Sequence, residues 1–386
     1  MEEESTSILL NHTFSTLNPQ EAQQLPVKPI GSKWVYKTQH NPDGSTWYKA
    51  RLVMTGCEQT YFSKTYAATG KITTFRYLLC LIRRYRCIMD HLDVVTAFLN
   101  LDIDNDHIYM TLPEIWLEGL NAPKIVVRFR KALYSLKHTP RLSHDDINPF
   151  LLSVGFTRSL ADPNLYYRSD GILLYLYVNY ISISYPAVAT KVVTEVKAKL
   201  SEKYKIANLS PARKFLGIEL HPDGAGDSRR QKSYIIPICR QFGMDNTHDV
   251  SKPIDPNVIL DLTYDWGQKQ LTDITDNQAV MESVMYAALA TRPDISYVVA
   301  SLSRYNSWPF TSHTTAAEGV VQYLNSTADF RLHYNGNGIG IGMGIGIAIE
   351  FGNSFEGYGD FDWANDSADR KSQGSPVFLV GPGAIK

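Results

Sequence analysis

The first third of the chain mixes basic and aromatic side chains in a way that suits binding to phosphate groups. From residue 28 to residue 90, eleven basic residues are opposed by three acidic ones, and residues 122–141 add six basic residues and no acid. Because phosphates dominate the affinity of proteins for nucleic acids, this pattern favours a polyanion-binding face. A solvated lysine-rich surface is the alternative on charge alone. The basic residues of the first stretch are Lys28, Lys33, Lys37, Lys49, Arg51, Lys64, Lys71, Arg76, Arg83, Arg84 and Arg86, and the aromatic residues among them include Trp34, Tyr36, Trp47 and Tyr48.

A second stretch, "GILLYLYVNYISISY" at residues 171–185, indicates two apolar strands joined at Asn179 and Tyr180. Two-residue hairpin turns favour Asn-Gly, Asp-Gly or Gly-X, because one or both residues adopt positive φ. Asn179 suits that geometry, whereas the bulky Tyr180 does not. Either the turn is not a simple hairpin, or other residues once stood there.

The elements around these stretches are a mixture of strands and helices. Residues 28–56 predict a hairpin broken at Pro-Asp-Gly, and "CIMDHLDVVTAFL" predicts a short buried strand leading into a helix. Apolar residues at helical spacing predict helices in residues 73–87, 188–204, 234–242 and 280–290, and again in the two segments that follow. "RKFLGIEL" reads as a strand. Without a regular βαβ repeat, the pattern predicts an α+β fold.

Composition limits the class of protein. The chain has 386 residues, a net charge of −1 and 44% apolar residues, which indicates a soluble globular protein of two or more domains. No apolar run reaches the roughly 18 residues that span a bilayer. The acidic start "MEEESTSILL" is unlike a signal peptide, so we expect a cytoplasmic or nuclear protein that is not secreted. The four cysteines predict reduced, mostly buried thiols and no metal site: Cys57, Cys80, Cys87 and Cys239.

Six segments in a fixed order carry a resemblance to a known family. In sequence the chain resembles the reverse transcriptase of copia-type retrotransposons, from its N-terminus to its end. The segments are "YKARLV", "HLDVVTAFLN", "ALYSLKHTPR", "ADPNLYYRSDGILLYLYVNY", "KFLGIEL" and "ALATRPDISY". The resemblance implies RNA-directed DNA synthesis on an RNA template from a DNA primer.

The resemblance also implies a domain organisation. It predicts right-hand polymerase fingers and palm over residues 28–250, after an N-terminal extension of residues 1–27. A connection-like helical segment would follow at 251–335. Residues 336–350 form a low-complexity Gly-Ile tract, and residues 351–386 resemble a truncated RNase H-like start, whose first metal carboxylate would be Asp360. The given sequence ends before the family's later acidic residues, so we expect no complete RNase H site.

In the family, three carboxylates hold two metal ions, Mg²⁺ or Mn²⁺, which clamp the reacting oxygens during phosphoryl transfer. The first carboxylate matches Asp93. The other two belong to a Tyr-Val-Asp-Asp hairpin, and here Asn179 and Tyr180 stand in their places. One negative charge then remains of three, which predicts weak or lost metal binding and an inactive pseudoenzyme. A non-catalytic nucleic-acid-binding protein that uses the basic fingers is the alternative, and a chain that does not fold stably is a third possibility.

Further site residues follow from the resemblance alone. Lys49 and Arg51 would contact the incoming triphosphate, and Phe98 would be the steric gate against a ribose 2′-hydroxyl. His138 replaces a glutamine beside the nucleotide, which casts doubt on nucleotide binding. Phe215, Leu216 and Gly217 would belong to the strand that grips the primer backbone, with an ordinary core strand as the alternative.

Overall fold

The structure is a computed structural model, and the part of the chain that it describes includes all of the predicted hairpin strands and most of the predicted helices. The described residues are 1–40, 46–59, 65–95, 101–103, 108–113, 116, 125–133, 136–223, 226–255, 272–334, 355–361, 374–380 and 383–384. The Gly-Ile tract of residues 336–350 lies outside them.

Helices and strands alternate irregularly along the chain. The α-helices are α1 (Glu2–Leu10), α2 (Pro19–Gln23), α3 (Ile72–Arg84), α4 (Thr139–Ser153), α5 (Thr190–Lys203), α6 (Lys232–Gln241), α7 (Thr275–Ala290), α8 (Ser296–Ser303) and α9 (Thr311–Ser326). The strands are β1 (Phe14–Thr16), β2 (Ser32–His40), β3 (Thr46–Met54), β4 (Ile88–Val94), β5 (Tyr109–Thr111), β6 (Val126–Phe129), β7 (Thr157–Arg158), β8 (Leu165–Tyr167), β9 (Leu173–Tyr177), β10 (Tyr180–Tyr185), β11 (Ile206–Asn208), β12 (Lys214–Phe215), β13 (Ile218–Asp223), β14 (Gly226–Arg230), β15 (Leu332–Tyr334), β16 (Phe355–Phe361), β17 (Gly374–Val380) and β18 (Gly383–Ala384).

The N-terminal region is built on the β2–β3 hairpin and a small sheet with the order β1-β6-β5. The two long strands pair as predicted, and the Pro-Asp-Gly segment between them in sequence lies outside the described residues. Ile8 of α1 packs with Leu52 and Met54 of β3 and with Met110 of β5 in one buried cluster. The apolar side of α1 therefore attaches the first helix to the hairpin.

The central element is a six-stranded sheet with the order β11-β4-β10-β9-β8-β7. Side chains alternate between its faces, because successive residues of a strand point in opposite directions. Leu92 and Ile181 belong to the face covered by α4 and α5, where Leu151 and Val196 are buried. The opposite face is covered by α3, the β12–β13 hairpin and the end of α7.

The C-terminal helices α6 to α9 share a core of their own, which includes Val284 and Val320. Arg292, only 1% exposed, begins the connection between α7 and α8. Its guanidinium donates to the Asp294 carboxylate at 2.7 Å and to the Thr327 carbonyl at 3.1 Å. This pairing offsets the cost of burying a charge and joins α9 to the turn after α7.

The α+β prediction is confirmed, and so are the helices predicted in residues 234–242 and 280–290. The helix predicted in residues 73–87 forms but ends earlier, at Arg84. Among the helices that the structure describes, none is long and apolar enough to cross a membrane. The cysteine prediction is partly wrong. Cys80 and Cys239 are buried, but Cys57 is exposed, and Cys87 is half-buried beyond the end of α3.

Candidate active site

The hairpin of residues 171–185 turns one residue earlier than its sequence predicts. Tyr177 of β9 pairs with Tyr180 of β10, so the two turn residues are Val178 and Asn179. Val178 adopts a φ of +58°, a conformation that is unfavourable for a β-branched side chain. Tyr180 is a strand residue because it pairs on its other side with Asp93 of β4, and this second partner extends the strand to the turn.

Asp93 and Tyr180 belong to one row of residues across the sheet, at the end where the turn lies. The row runs Ala207, Asp93, Tyr180 and Tyr177 over the strands β11, β4, β10 and β9. Directly paired residues share a face, so these side chains are on the side that α3 and the β12–β13 hairpin cover. The sequence-predicted residues Asp93, Asn179 and Tyr180 are thus brought together.

Asn179 is tied to β4 by two hydrogen bonds. Its side-chain Nδ2 donates to Asp93 Oδ1 at 2.5 Å, and its carbonyl accepts from the Val94 N–H at 2.9 Å. A carboxylate that accepts an amide N–H offers that oxygen less readily to another partner. The side chain that replaces the second family carboxylate therefore acts as a donor to the first.

The ring of Tyr180 packs into an aromatic cluster beneath the row. Its centroid lies 6.4 Å from that of Phe215 and 5.4 Å from that of His91. Burial raises the pKa of Tyr180, the Asp93 charge raises it further, and the Arg51 charge opposes the rise. Tyr180 is consequently neutral at neutral pH and adds no negative charge to the site.

The residues of this row do not fit a pair of divalent ions. Hard cations such as Mg²⁺ bind carboxylate oxygens, and the row supplies one carboxylate, that of Asp93. His91 lies two residues before it on the same strand face, and burial lowers the pKa of its imidazole. Within the described ranges, no group of three or more His, Cys, Asp or Glu side chains could hold a metal ion.

The segment "FLGIEL" forms a hairpin turn rather than the single strand that its sequence predicts. Leu216 and Gly217 have φ values of +51° and +70° between β12 and β13, the signature of a type I′ turn. The Tyr286 hydroxyl of α7 donates to the Leu216 carbonyl. A Cβ on Gly217 would lie 3.0 Å from the Tyr286 hydroxyl oxygen, so a larger residue would displace that hydroxyl by a few tenths of an ångström.

Phe215 connects the two turns through the core. It is 0% exposed, and its ring lies 4.8 Å from Phe75 and 5.0 Å, edge on, from His91. Because Tyr180 packs on the same ring, the turn at residues 216–217 and the turn at residues 178–179 share one aromatic cluster.

Lys49 and Arg51 are on β3, opposite Lys37 and Val35 of β2. Burial raises the pKa of Glu4 of α1, and the Arg51 charge, a backbone hydrogen bond to Leu52 and the Lys49 charge all oppose that rise. Arg51 is exposed and influences the pKa of both Glu4 and Tyr180. The hairpin therefore presents Arg51 between the first helix and the row that contains Asp93.

His138 is almost fully buried at the start of α4, with 4% of its surface exposed. Its Nδ1 lies 3.3 Å from Gln59 Nε2, and the Lys137 N–H donates to Gln59 Oε1 at 3.0 Å. The sequence motifs do not predict Gln59, Glu4 or His91 as site residues. Of these three, only His91 could have been predicted from the sequence, because residues two positions apart on a strand point to the same face and His91 lies two positions before Asp93.

Two site predictions cannot be placed fully. Phe98 lies outside the described residues. Asp360 is on β16, where its backbone is opposite Ser375 of β17, and its side chain lies outside the described part.

Comparison with known proteins shows which family the chain belongs to. The family model described as reverse transcriptase (RNA-dependent DNA polymerase) matches residues 18–256, more than half of the chain. The chain belongs to this reverse transcriptase family. The copia-type resemblance is thereby confirmed, and the family generally uses divalent metal ions and binds templates and primers.

Curated relatives extend the match over the whole chain. The Retrovirus-related Pol polyprotein from transposon RE1 of Arabidopsis thaliana is 29% identical over 378 residues, which cover 96% of this chain and 24% of the relative. The corresponding polyprotein from transposon TNT 1-94 of Nicotiana tabacum is 29% identical, with coverage of 100% and 28%. A putative transposon Ty5-1 protein of Saccharomyces cerevisiae is 31% identical, with coverage of 63% and 78%. The chain thus spans about a quarter of the two Pol polyproteins.

Proposed function

We propose that this chain is a reverse transcriptase domain that has kept its fold and lost polymerase activity. The observation that carries the proposal is the hydrogen bond from Asn179 to Asp93, formed where the family places a second metal-binding carboxylate. Asp93 is the only carboxylate of its row, and the neighbouring positions hold Ala207, Tyr180 and Tyr177.

The proposal includes a polymerase-hand assignment. The β2–β3 hairpin would be the fingers, and the six-stranded sheet with α4 and α5 would be the palm. The helices α7 to α9 would form the connection-like segment, α6 would still belong to the fingers and palm of residues 28–250, and β16 to β18 would form the RNase H-like start. The covering of one sheet face by two helices and of the other by a tight hairpin supports this assignment.

Electrostatics explains why activity should be lost. Two divalent ions carry four positive charges, and one carboxylate offsets a quarter of them, whereas three offset most. Removal of one preorganised electrostatic group commonly costs roughly 3 kcal/mol at the transition state. Loss of two such groups therefore predicts a fall of roughly four orders of magnitude or more in rate.

Primer extension tests the proposal. We would incubate the protein with a primer annealed to an RNA template, in Mg²⁺ and separately in Mn²⁺, beside the double variant Asn179→Asp with Tyr180→Asp. Extension by the double variant alone is the expected result. A triple variant that also carries Asp93→Asn is the matched control, and it should again be inactive. Extension by the unaltered chain would overturn the proposal.

A second candidate function is nucleic-acid binding without catalysis. The observation in its favour is that Tyr48 and Arg51 of β3 and Tyr36 of β2 are exposed on the hairpin, beside Lys49. Binding through phosphates releases counterions, so the affinity for an RNA–DNA hybrid should fall steeply with salt concentration. Fluorescence anisotropy over a salt series measures that dependence. Affinity that does not change with salt would rule this candidate out.

A further inference from the structure

The N-terminal helix α1 carries the charge opposite to that of the hairpin on which it packs. Its first turn contains Glu2, Glu3 and Glu4, and residues 1–10 include no basic side chain. The strands β2 and β3 contain basic residues and no acidic residue. Because α1 also precedes the residues that the family model matches, its charge calls for an explanation of its own.

Two contacts fix the position of the acidic turn on the hairpin. At one end of α1, the Tyr36 hydroxyl of β2 donates to the Met1 sulfur at 3.2 Å. At the other end, Ile8 is buried in one cluster with Leu52 of β3. Glu4 is midway between these contacts, and a helix rises by only about 1.5 Å per residue. The helix therefore holds Glu4 beside β3.

The Glu4 carboxylate lies in this contact as a partly buried charge. Burial raises its pKa, and the Arg51 charge, a backbone hydrogen bond from Leu52 and the Lys49 charge oppose that rise. Its Oε1 is buried and has no hydrogen-bond partner in the described part of the chain. Burying a charge without full hydrogen bonding costs free energy, which nearby opposite charges offset. Packing of α1 on the hairpin therefore depends on the positive charge of Arg51 and Lys49.

The same two cations belong to a face of the hairpin that suits phosphate groups. Residues two apart on a strand share a face, and so do directly paired residues. Lys33, which pairs with Val53, is therefore on the face of Lys49 and Arg51, and the three positions span about 13 Å at about 3.3 Å per residue. Lys33 and Arg51 are exposed, and Lys49 is half-exposed. Three cations this close suit a compact oligophosphate, with the Arg51 guanidinium able to bind it through two N–H groups.

We propose that α1 is a displaceable acidic helix that competes with oligophosphates for Arg51 and Lys49, so that a bound oligophosphate releases it from the hairpin. The oligophosphate would neutralise the positive charge that Glu4 requires and would repel the glutamates of the first turn. Such coupling is reciprocal, so packing of α1 lowers the affinity for the oligophosphate by the factor by which the oligophosphate weakens packing. The inference rests on the proposed function for the premise that this face meets phosphate groups.

Two single variants and their controls test the competition. Glu4→Gln removes the negative charge and keeps an oxygen that can accept the Leu52 N–H. Glu58→Gln is the matched control, because the Glu58 carboxylate also accepts a backbone N–H, that of Gly31 at 3.0 Å. Arg51→Gln, alone and combined with Glu4→Gln, removes the cation for which helix and ligand compete.

Titration calorimetry would measure the affinity of each protein for inorganic tripolyphosphate. Hydrogen exchange followed by mass spectrometry would measure protection of residues 1–10 with and without it. We expect Glu4→Gln to bind roughly fivefold more tightly than the parent, and Glu58→Gln to match the parent. In the parent, tripolyphosphate should speed exchange in α1. In the Arg51→Gln background, Glu4→Gln should change the affinity little, because both residues act through one interaction.

Ile8→Ala separates a displaced helix from a fixed negative charge. Ile8 is 1% exposed, so its truncation loosens α1 and leaves every charge in place. This variant should bind tripolyphosphate at least as tightly as Glu4→Gln does. Its α1 amides should exchange fast even without ligand, whereas the amides of β3 should remain protected.

Equal affinity in the parent and Glu4→Gln, or an equal gain in Glu58→Gln, would overturn the proposal. A gain in Glu4→Gln without faster α1 exchange in the liganded parent would also overturn it, because Glu4 would then be a fixed charge. If neither the parent nor any variant binds tripolyphosphate, this inference fails alone, since primer extension tests the proposed function separately. If Ile8→Ala also exposes β3, the comparison of Glu4→Gln with Glu58→Gln and the exchange of α1 in the parent decide the outcome.

Discussion

The two tight turns that meet at Phe215 differ in how well their residues suit them. At residues 216–217, glycine occupies one positive-φ position, and the Tyr286 hydroxyl closes the turn by bonding the Leu216 carbonyl. At residues 178–179, a valine holds the positive φ, and the Asn179 side chain donates a hydrogen bond to Asp93. Both turns place a non-glycine residue, Leu216 or Val178, at positive φ, and the turn at residues 216–217 also has a glycine at its second position.

This difference indicates where the fold tolerates change. The turn at residues 178–179 is held by its strands, since Tyr180 pairs with both Tyr177 and Asp93. The strand pairs fix the backbone, and the side chains at the turn then contribute little to its geometry. Residues chosen for chemistry can be lost from such a turn while the sheet survives. The turn at residues 216–217 depends on its own residues and on one long-range contact.

The largest effect that distinguishes the turns is expected from Gly217→Ala. A positive φ costs a non-glycine residue roughly 1–2 kcal/mol, and the new Cβ would crowd the Tyr286 hydroxyl at 3.0 Å. We expect a loss of roughly 2 kcal/mol in the free energy of unfolding. Urea denaturation followed by circular dichroism measures it.

The matched control is Gly243→Ala. Gly243 has nearly the same φ, +71°, but a Cβ there would meet no atom within 4 Å. This variant should lose only the conformational part, roughly 1 kcal/mol. Equal losses at the two positions would show that Tyr286 does not restrict the turn.

A smaller effect of opposite sign is expected from Val178→Gly. Glycine adopts a positive φ without strain, which should stabilise the folded state by roughly 1–2 kcal/mol. Glycine also raises the conformational entropy of the unfolded chain, which should destabilise the protein by roughly 0.5–1 kcal/mol. Val178 is 58% exposed, so little packing is lost. The variant should be more stable by up to about 1 kcal/mol in the same urea assay.

Val188→Gly provides the comparison for that result. Val188 is 93% exposed and has no positive φ, so glycine there should lower the stability by roughly 0.5–1 kcal/mol. If Val178→Gly destabilises the protein as much as Val188→Gly does, the valine at the turn is not strained.

The smallest effect concerns pH. The pKa of Tyr180 is raised by burial and by Asp93, so the folded state favours the neutral phenol. The Tyr180 phenol therefore stabilises the fold fully at pH values below its pKa in the unfolded chain, about 10. This stabilisation is lost as the pH rises through the higher pKa that the phenol has in the folded protein. The melting temperature should therefore fall less steeply between pH 9 and 11 for Tyr180→Phe than for the parent. Parallel pH curves would contradict the burial of this phenol.

Local patterns in the sequence account for much of the fold and for part of the site. Pro-Asp-Gly marks the break of the first hairpin, and apolar spacing marks α3, α6 and α7. The strand that carries Asp93 and the hairpin beside it could also be predicted, and the resemblance to the family implied that Asp93 and Asn179 share one site.

Other features could not be predicted because they depend on long-range partners. The position of the turn at Val178 depends on pairing between Tyr180 and Asp93, 87 residues earlier in the sequence. The turn within "FLGIEL" carries no Asn-Gly or Asp-Gly signal, and the Tyr286 contact that closes it comes from a helix 70 residues later. Val188, the first residue of the helix predicted in residues 188–204, lies before α5 and is exposed.

The contact between Tyr286 and Leu216 has a consequence for synthesis of the chain on the ribosome. At about 5–20 residues per second, α7 emerges roughly 4 to 14 s after the turn at residues 216–217. During that interval Ala290 is absent from the cluster around Phe215, and the Leu289 and Ala290 carbonyls that accept hydrogen bonds from Arg76 are absent too. One apolar face of the nascent sheet therefore remains partly exposed during this interval. At this stage of synthesis the exposed face can bind a chaperone.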